Sequence, residues 1–126
     1  MIVLDTHVWF WLVASPDRLS DASVTAIDSA DELFLSPISC WEIAMLVHKG
    51  RLEINQPTEQ WLESAMQSTG MALLPIGPTI AALAARLPLH GDPADRLIVA
   101  TAITFGAQLV TKDHSIRSSG LVTTVW

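Results

Sequence analysis

Short apolar runs alternate along the chain with longer segments in which apolar residues recur every three or four positions. Runs typical of β-strands stand at 2–4, 33–35, 71–76, 109–111 and 121–125. Helical spacing or helix-start signals cover 6–13, 20–30, 36–50, 57–70, 78–87, 92–106 and, as a short turn or helix, 113–118. Strands that alternate with helices predict an α/β fold, a three-layer sandwich around a central, mainly parallel sheet.

Two helix starts are marked by a capping side chain followed by proline. Ser36-Pro37 and Asp92-Pro93 each place an oxygen at the N-cap and proline at the first helical position. Ser20 is the predicted cap of another helix, and its spacing places Val24 and Ile27 on the inner face.

Composition narrows the class of protein. The chain has 126 residues, of which 50% are hydrophobic and 16% charged, so residues 1–126 are expected to form one globular domain. Cys40 is the single cysteine, which excludes an internal disulfide and a multi-cysteine zinc site. Neither an export signal nor an apolar run of membrane length is found, so we expect a cytoplasmic protein without a membrane partner.

The net charge of −6 comes from 13 acidic and 7 basic residues. Taken alone, this balance counts against nucleic-acid binding, because phosphate contacts need lysine and arginine. An acidic site that binds divalent cations is compatible with it. A solvated acidic surface, which keeps a protein soluble, is the more common cause of such a charge.

Four aspartates occupy positions where α/β folds bind ligands. Asp5 follows the first strand and Asp113 follows the strand at 109–111, so both are predicted at the carboxyl edge of the sheet. Asp92 and Asp95 lie at a helix N-terminus that can face the same edge. Each also has a simpler explanation, since Asp5, Asp92 and Asp113 suit helix caps and Asp95 complements a helix dipole.

Glu42 is harder to explain by local structure. It is the only charged residue between Glu32 and Lys49, and its immediate neighbours are Trp41 and Ile43. Carboxylates are rarely buried without a partner. If these acids converge, their repulsion requires a cation, and oxygen ligands favour Mg²⁺ or Mn²⁺, the ions of phosphodiester hydrolysis.

Four segments in this order resemble the PIN-domain family, and within it the VapC-type toxins. They are Val3-Leu4-Asp5-Thr6-His7, Ser36-Pro37-Ile38-Ser39-Cys40-Trp41-Glu42-Ile43, His90-Gly91-Asp92-Pro93-Ala94-Asp95 followed by Arg96-Leu97-Ile98-Val99-Ala100-Thr101-Ala102, and Leu109-Val110-Thr111-Lys112-Asp113. Together they extend over nearly the whole chain.

The resemblance implies a metal site and its surroundings. The implied catalytic ligands are Asp5, Glu42, Asp95 and Asp113. Asp92 is left open, as a cap or as a ligand of a second ion. The hydroxyls expected to hold metal-bound waters are those of Thr6, Ser39 and Thr111.

The resemblance also implies an activity and partners. It predicts a Mg²⁺- or Mn²⁺-dependent endoribonuclease toxin, a homodimer, which a cognate VapB-type antitoxin silences by wrapping the chain and inserting a basic side chain. For the RNA path we single out the basic residues Lys49, Arg51, Arg96, Lys112 and Arg117. Salt bridging or solvation is the simpler explanation of each.

Two other functions remain open at this point. An aspartate-based phosphatase or phosphoacceptor would also carry an acid after its first strand. Such phosphatases place a second aspartate two positions later, where this chain has His7, and receiver domains need adjacent acids where it has Leu4-Asp5. A non-catalytic PIN-like binding module is the other alternative, and the presence of all four acids argues against it.

Overall fold

The computed structural model describes residues 1–126 and contains five short strands. These are β1 (Ile2–Leu4), β2 (Leu33–Leu35), β3 (Ala72–Leu73), β4 (Gln108–Val110) and β5 (Thr124–Val125). They form one sheet in the order β3-β2-β1-β4-β5, and every neighbouring pair is parallel. The predicted parallel sheet is therefore confirmed, and β1 lies at its centre.

Seven α-helices connect the strands. They are α1 (Thr6–Ala14), α2 (Asp21–Ser29), α3 (Pro37–His48), α4 (Thr58–Thr69), α5 (Pro78–Arg86), α6 (Pro93–Phe105) and α7 (His114–Ser119). A single 3₁₀ turn, Pro16–Arg18, follows α1. None of these helices has the length and apolarity that crossing a bilayer would need.

The sheet separates two apolar clusters, which makes the fold a three-layer sandwich. Within β1, Val3 belongs to one cluster, whereas Ile2 and Leu4 belong to the other. Leu109 and Val110 of β4 divide in the same way, because successive strand residues point to opposite faces. A strand buried on both faces has to be apolar throughout, which accounts for the uninterrupted run at 2–4.

The two faces carry different helices. Residues of α5, α6 and α7 pack with Val3 and Leu109 on one face. Residues of α1 to α4 pack on the other, where Trp9 is fully buried and meets Trp61 edge to face at 5.9 Å between ring centroids. Burying a side chain of that size contributes about 1.5–3 kcal/mol to stability.

Several predictions from sequence were wrong in detail. The runs at 71–76 and 121–125 form strands of only two residues, since each lies at an edge of the sheet with a single neighbour. Val24 was predicted on the inner face of α2, yet it is 38% exposed, whereas Ile27 is buried as predicted. The buried stripe of this helix is narrower than its apolar spacing indicates.

The two predicted helix starts are confirmed, and the helices that begin there carry Glu42 and Asp95. The Ser36 Oγ accepts a hydrogen bond from the Ile38 amide at 3.3 Å, and Asp92 Oδ1 accepts one from the Ala94 amide at 2.9 Å. Helices α1, α3 and α7 all begin just beyond the carboxyl ends of strands. Their first turns therefore surround one edge of the sheet.

Candidate metal centre

A cleft of about 320 Å³ opens at the carboxyl edge of the sheet. Its lining consists of five carboxylates with four other side chains, namely Asp5, Glu42, Asp92, Asp95 and Asp113 together with His7, Val8, Trp11 and Lys112. The structure thus brings together the four acids named from sequence, with Asp92 beside them. They come from separate parts of the chain, and no basic side chain other than Lys112 and His7 lines the cleft.

Asp5 is the acid most firmly held. It follows β1 and is only 8% exposed. Its Oδ1 accepts a hydrogen bond from the Thr6 amide at 2.8 Å, and its Oδ2 accepts one from the Thr111 hydroxyl at 2.6 Å. Burial raises the pKa of Asp5, while these two hydrogen bonds act in the opposite direction. Both carboxylate oxygens are therefore fixed in orientation.

Thr111 joins Asp5 to Asp113. Besides donating to Asp5, its Oγ1 accepts a hydrogen bond from the Asp113 amide at 3.0 Å. Asp113 Oδ1 in turn accepts hydrogen bonds from the Ser115 hydroxyl at 2.6 Å and the Ile116 amide at 3.1 Å. Burial raises the pKa of Asp113, but these hydrogen bonds outweigh it and leave the pKa lowered. Asp113 is thus both the cap of α7 and an anion at the cleft.

Glu42 lies one turn into α3 and is 7% exposed, so it is buried as its apolar neighbours indicated. Burial raises its pKa, and the nearby charges of Asp92 and Asp5 raise it further, while the Thr6 side chain opposes the shift by hydrogen bonding. The Thr6 and Ser39 hydroxyls are themselves hydrogen bonded at 2.9 Å.

Asp95 carries the clearest sign of electrostatic conflict. Its pKa is raised to about 7, first by burial and then by repulsion from Asp5, Asp113, Glu42 and Asp92. A carboxyl group surrounded by carboxylates favours the protonated form unless a cation compensates. This arrangement is costly for folding alone, which is the pattern that functional sites show.

The donor chemistry fits a hard divalent cation. The five carboxylates offer only oxygen, the donor that Mg²⁺ and Mn²⁺ prefer. As the side chains stand, no group of three or more His, Cys, Asp or Glu side chains is close enough to hold one ion. Mg²⁺ usually keeps several waters and is held directly by one or two carboxylates, so the remaining acids would act through water.

Of the five basic residues named for an RNA path, the structure brings only Lys112 to the cleft. Lys49 and Arg51 lie at the far end of α3, and Arg117 lies in α7; all three are exposed. Arg96 turns back to donate a hydrogen bond to the Leu87 carbonyl at 3.4 Å. Arg96 therefore supports the segment that leads into α6 rather than the cleft.

Sequence reasoning missed Trp11 and Arg18. Trp11 lines the cleft, and the Arg18 guanidinium carbon lies 4.8 Å from the centre of its ring. The Lys112 ammonium lies 5.6 Å from the same ring. Helical spacing places Trp11 four residues after His7, and the two rings are 5.9 Å apart. Nothing in the sequence pattern indicated Arg18.

Known proteins resemble this chain in sequence. Residues 2–119 match the family model described as the PIN domain. Ribonuclease VapC22 of Mycobacterium tuberculosis (strain ATCC 25618 / H37Rv) is 44% identical over 119 residues, which cover 93% of this chain and 90% of that protein.

Two solved structures share the fold. VapBC2 from Rickettsia felis, bound to a DNA fragment from its promoter, superposes with a TM-score of 0.70 at 18% identity, covering 98% of this chain and 97% of that one. A toxin–antitoxin complex from Klebsiella pneumoniae gives 0.67 at 19% identity, with coverages of 98% and 97%. At these identities the likeness concerns the fold.

Proposed function

The chain belongs to the PIN-domain family, in its VapC branch, and on that premise we propose that it is a Mg²⁺- or Mn²⁺-dependent endoribonuclease toxin. The observation that carries the proposal is the convergence of Asp5, Glu42, Asp95 and Asp113 in one cleft. The raised pKa of Asp95 indicates that these charges need a cation. Hydrolysis of RNA phosphodiester bonds is the reaction that such a site suits best.

The five carboxylates would have different roles in holding the ion. Asp5 and Asp113, linked through Thr111, would hold the ion from the central strands. Glu42 and Asp95 would complete its surroundings, and Asp92 would add charge while capping α6. A bound divalent ion supplies Lewis acidity at a phosphoryl oxygen and lowers the pKa of a water. Because the hydrogen bonds to Asp5 are preformed, the carboxylate needs no reorientation to bind.

Two protein partners belong to the same proposal. The Klebsiella pneumoniae structure is by its description a toxin–antitoxin complex, and we extend that assembly to a VapB-type antitoxin for this chain. A homodimer of one-domain subunits completes the proposed assembly. Trp41, next to Glu42 on α3, is 54% exposed and offers apolar area for such contacts.

The test is cleavage of total cellular RNA with Mg²⁺ or Mn²⁺, and then with EDTA. Asp5→Asn keeps the shape of the side chain and removes its charge. Glu32→Gln is the matched control, because Glu32 is an exposed acid at the opposite edge of the sheet. We expect wild type and Glu32→Gln to give discrete fragments, and Asp5→Asn or EDTA to abolish them.

Cleavage that survives both Asp5→Asn and EDTA would contradict the proposed site. If no condition yields fragments, calorimetry with Mn²⁺ separates the remaining alternatives. Metal binding that is lost in Asp5→Asn would then indicate a nuclease with a narrow substrate. Absence of metal binding would favour a non-catalytic binding module.

A further inference from the structure

Two positively charged side chains contact the ring of Trp11 beside the acidic cleft. Arg18 and Lys112 both lie over its ring, at 4.8 and 5.6 Å from the ring centre, distances typical of cation–π contacts. They are two of only seven lysines and arginines in the chain. Three different segments contribute to this group, namely α1, the 3₁₀ turn and the residues after β4.

The indole is well placed to hold these cations in position. Trp11 is only 9% exposed, and its ring lies beside those of His7 and Trp126, at 5.9 and 6.0 Å between centroids. Arg18 and Lys112 are themselves exposed. Long cationic side chains lose conformational freedom when they bind a ligand, and contact with a fixed ring removes part of that loss beforehand.

The group lies next to the cleft that holds the carboxylates. Trp11, His7 and Lys112 all line that cleft, and Lys112 directly precedes Asp113. An RNA strand that approaches five carboxylates is repelled, and cations compensate only within about a Debye length, roughly 8 Å at physiological salt. Among the lysines and arginines, Lys112 is the one that lines the cleft.

We propose that Lys112 and Arg18, positioned over the Trp11 indole, form a cationic rim that binds an RNA phosphate neighbouring the one that is cleaved. This inference rests on the proposed function and names how the substrate is held at the same site. Trp11 is a positioning residue in this arrangement, because it acts through the two cations. The rim accounts for RNA binding by a chain whose net charge is −6.

The experiment measures RNA binding apart from cleavage. Fluorescence anisotropy follows a labelled single-stranded RNA oligonucleotide of mixed sequence, with the full chain carrying Asp5→Asn as the parent. Lys112→Ala and Arg18→Ala are compared with Arg86→Ala, which removes the same charge from the end of α5, away from the cleft. Each protein is measured over a series of salt concentrations.

We expect Lys112→Ala and Arg18→Ala each to weaken binding by about 3- to 10-fold. Each should also reduce the slope of log affinity against log salt, and the two substitutions together should reduce it by about 0.7, the value for one phosphate contact on a single strand. Arg86→Ala should change neither quantity. Equal affinities and slopes for all three variants would overturn the proposal, as would an absence of measurable RNA binding by the parent at low salt.

Trp11 is tested by a double-mutant cycle. Trp11→Leu removes the ring, after which Lys112→Ala should weaken binding much less than it does in the parent. Trp11→Phe retains an aromatic face and should restore most of the affinity, which a loss of packing alone would not predict. Circular-dichroism melting confirms that each variant folds. Full additivity of Trp11→Leu and Lys112→Ala would contradict a positioning role.

An acidic protein segment is the rival ligand for the rim. Poly-L-glutamate serves as its probe: if Lys112→Ala and Arg18→Ala lose only this ligand and bind RNA normally, the proposal is wrong. The outcome is independent of the nuclease test. If the wild type cleaves RNA but the rim variants bind it normally, only this inference is wrong. If RNA binding depends on the rim but neither cleavage nor metal binding is found, only the proposed nuclease activity is wrong.

Discussion

The two edges of the sheet both carry acidic residues and a depression, yet only one of them resembles a working site. At the amino edge, a cavity of about 650 Å³ is lined by Ile2 of β1, Phe34 of β2 and Gln108 of β4 together with Asp31 and Glu32. The cleft at the carboxyl edge is about half that size. At the amino edge both acids are exposed, whereas Asp5 and Glu42 are almost completely buried.

Cavity volume therefore does not single out the candidate site. What distinguishes the smaller cleft is the number of separate segments that deliver a carboxylate to it, and the hydrogen bonds that hold them. Exposed acids at the other edge are adequately explained by solvation. Buried acids that repel each other cost folding free energy, and this cost is the feature that points to a ligand.

The largest expected contrast is between the acids of the two edges. Asp95→Asn should lower RNA cleavage by about 100-fold or more, because it removes a negative group from the proposed ion's surroundings. Glu32→Gln at the amino edge should leave the rate within about 2-fold of wild type. The measurement is the initial rate of fragment formation with Mn²⁺. Equal rates for the two variants would remove Asp95 from the site.

A smaller effect is expected from a residue that touches both Asp5 and Asp113. Thr111→Val keeps the shape of this buried side chain but removes the hydroxyl that bonds Asp5 Oδ2 and the Asp113 amide. We expect cleavage to fall about 10- to 100-fold, as for other groups that orient metal ligands. Mn²⁺ affinity, measured by calorimetry, should fall in parallel. Thr111→Ser should restore both, and its failure to do so would assign Thr111 to packing.

The smallest effect concerns stability rather than rate. Because the pKa of Asp95 is raised from 3.8 to about 7 by burial and repulsion, protonated Asp95 favours the folded state. That stabilisation is complete below pH 3.8 and is lost as the pH rises through 7. Asp95 is partly exposed, so screening limits the loss to about 1–2 kcal/mol.

The metal-free protein should therefore melt roughly 3–8 °C higher at pH 5 than at pH 8. Burial shifts Asp5 and Glu42 in the same direction, while the lowered pKa of Asp113 acts only at more acidic pH. Adding Mg²⁺ should raise the melting temperature at pH 8 and reduce the difference. In the absence of metal, Asp95→Asn should also reduce the difference in melting temperature between pH 5 and pH 8. A protein that is more stable at pH 8 than at pH 5 would contradict this account.

Local signals predicted much of the fold. Ser36-Pro37 and Asp92-Pro93 start helices because the cap and the proline act within a few residues. The lengths of β3 and β5 escaped prediction, since a strand ends where its neighbour ends, and the neighbour is not encoded locally. The predicted burial of Val24 was wrong for the same reason, because the exposure of this side chain depends on what packs against α2.

The candidate site was likewise predictable only where local sequence signals determine it. Position after a strand was enough to predict that Asp5 and Asp113 share an edge, and the apolar neighbours of Glu42 singled that residue out. The resemblance then favoured Asp95 over Asp92 as the remaining ligand. The arrangement of the basic residues was not predictable, because Arg18 and Lys112 are far apart in sequence and meet only on the Trp11 ring. Arg96 shows the converse, since it stands beside Asp95 yet turns away to Leu87.

The hydrogen bond between Thr111 and Asp5 closes a loop of 106 residues. Contacts so distant in sequence are expensive in loop-closure entropy and form late in folding. During synthesis, β1 leaves the ribosome long before β4, one of the two strands it pairs with, so Asp5 has neither Thr111 nor Asp113 beside it. A nascent chain therefore holds no assembled carboxylate cleft. The ribosome that makes this protein is therefore not exposed to an assembled carboxylate cleft until the segment that carries Asp113 has left the exit tunnel.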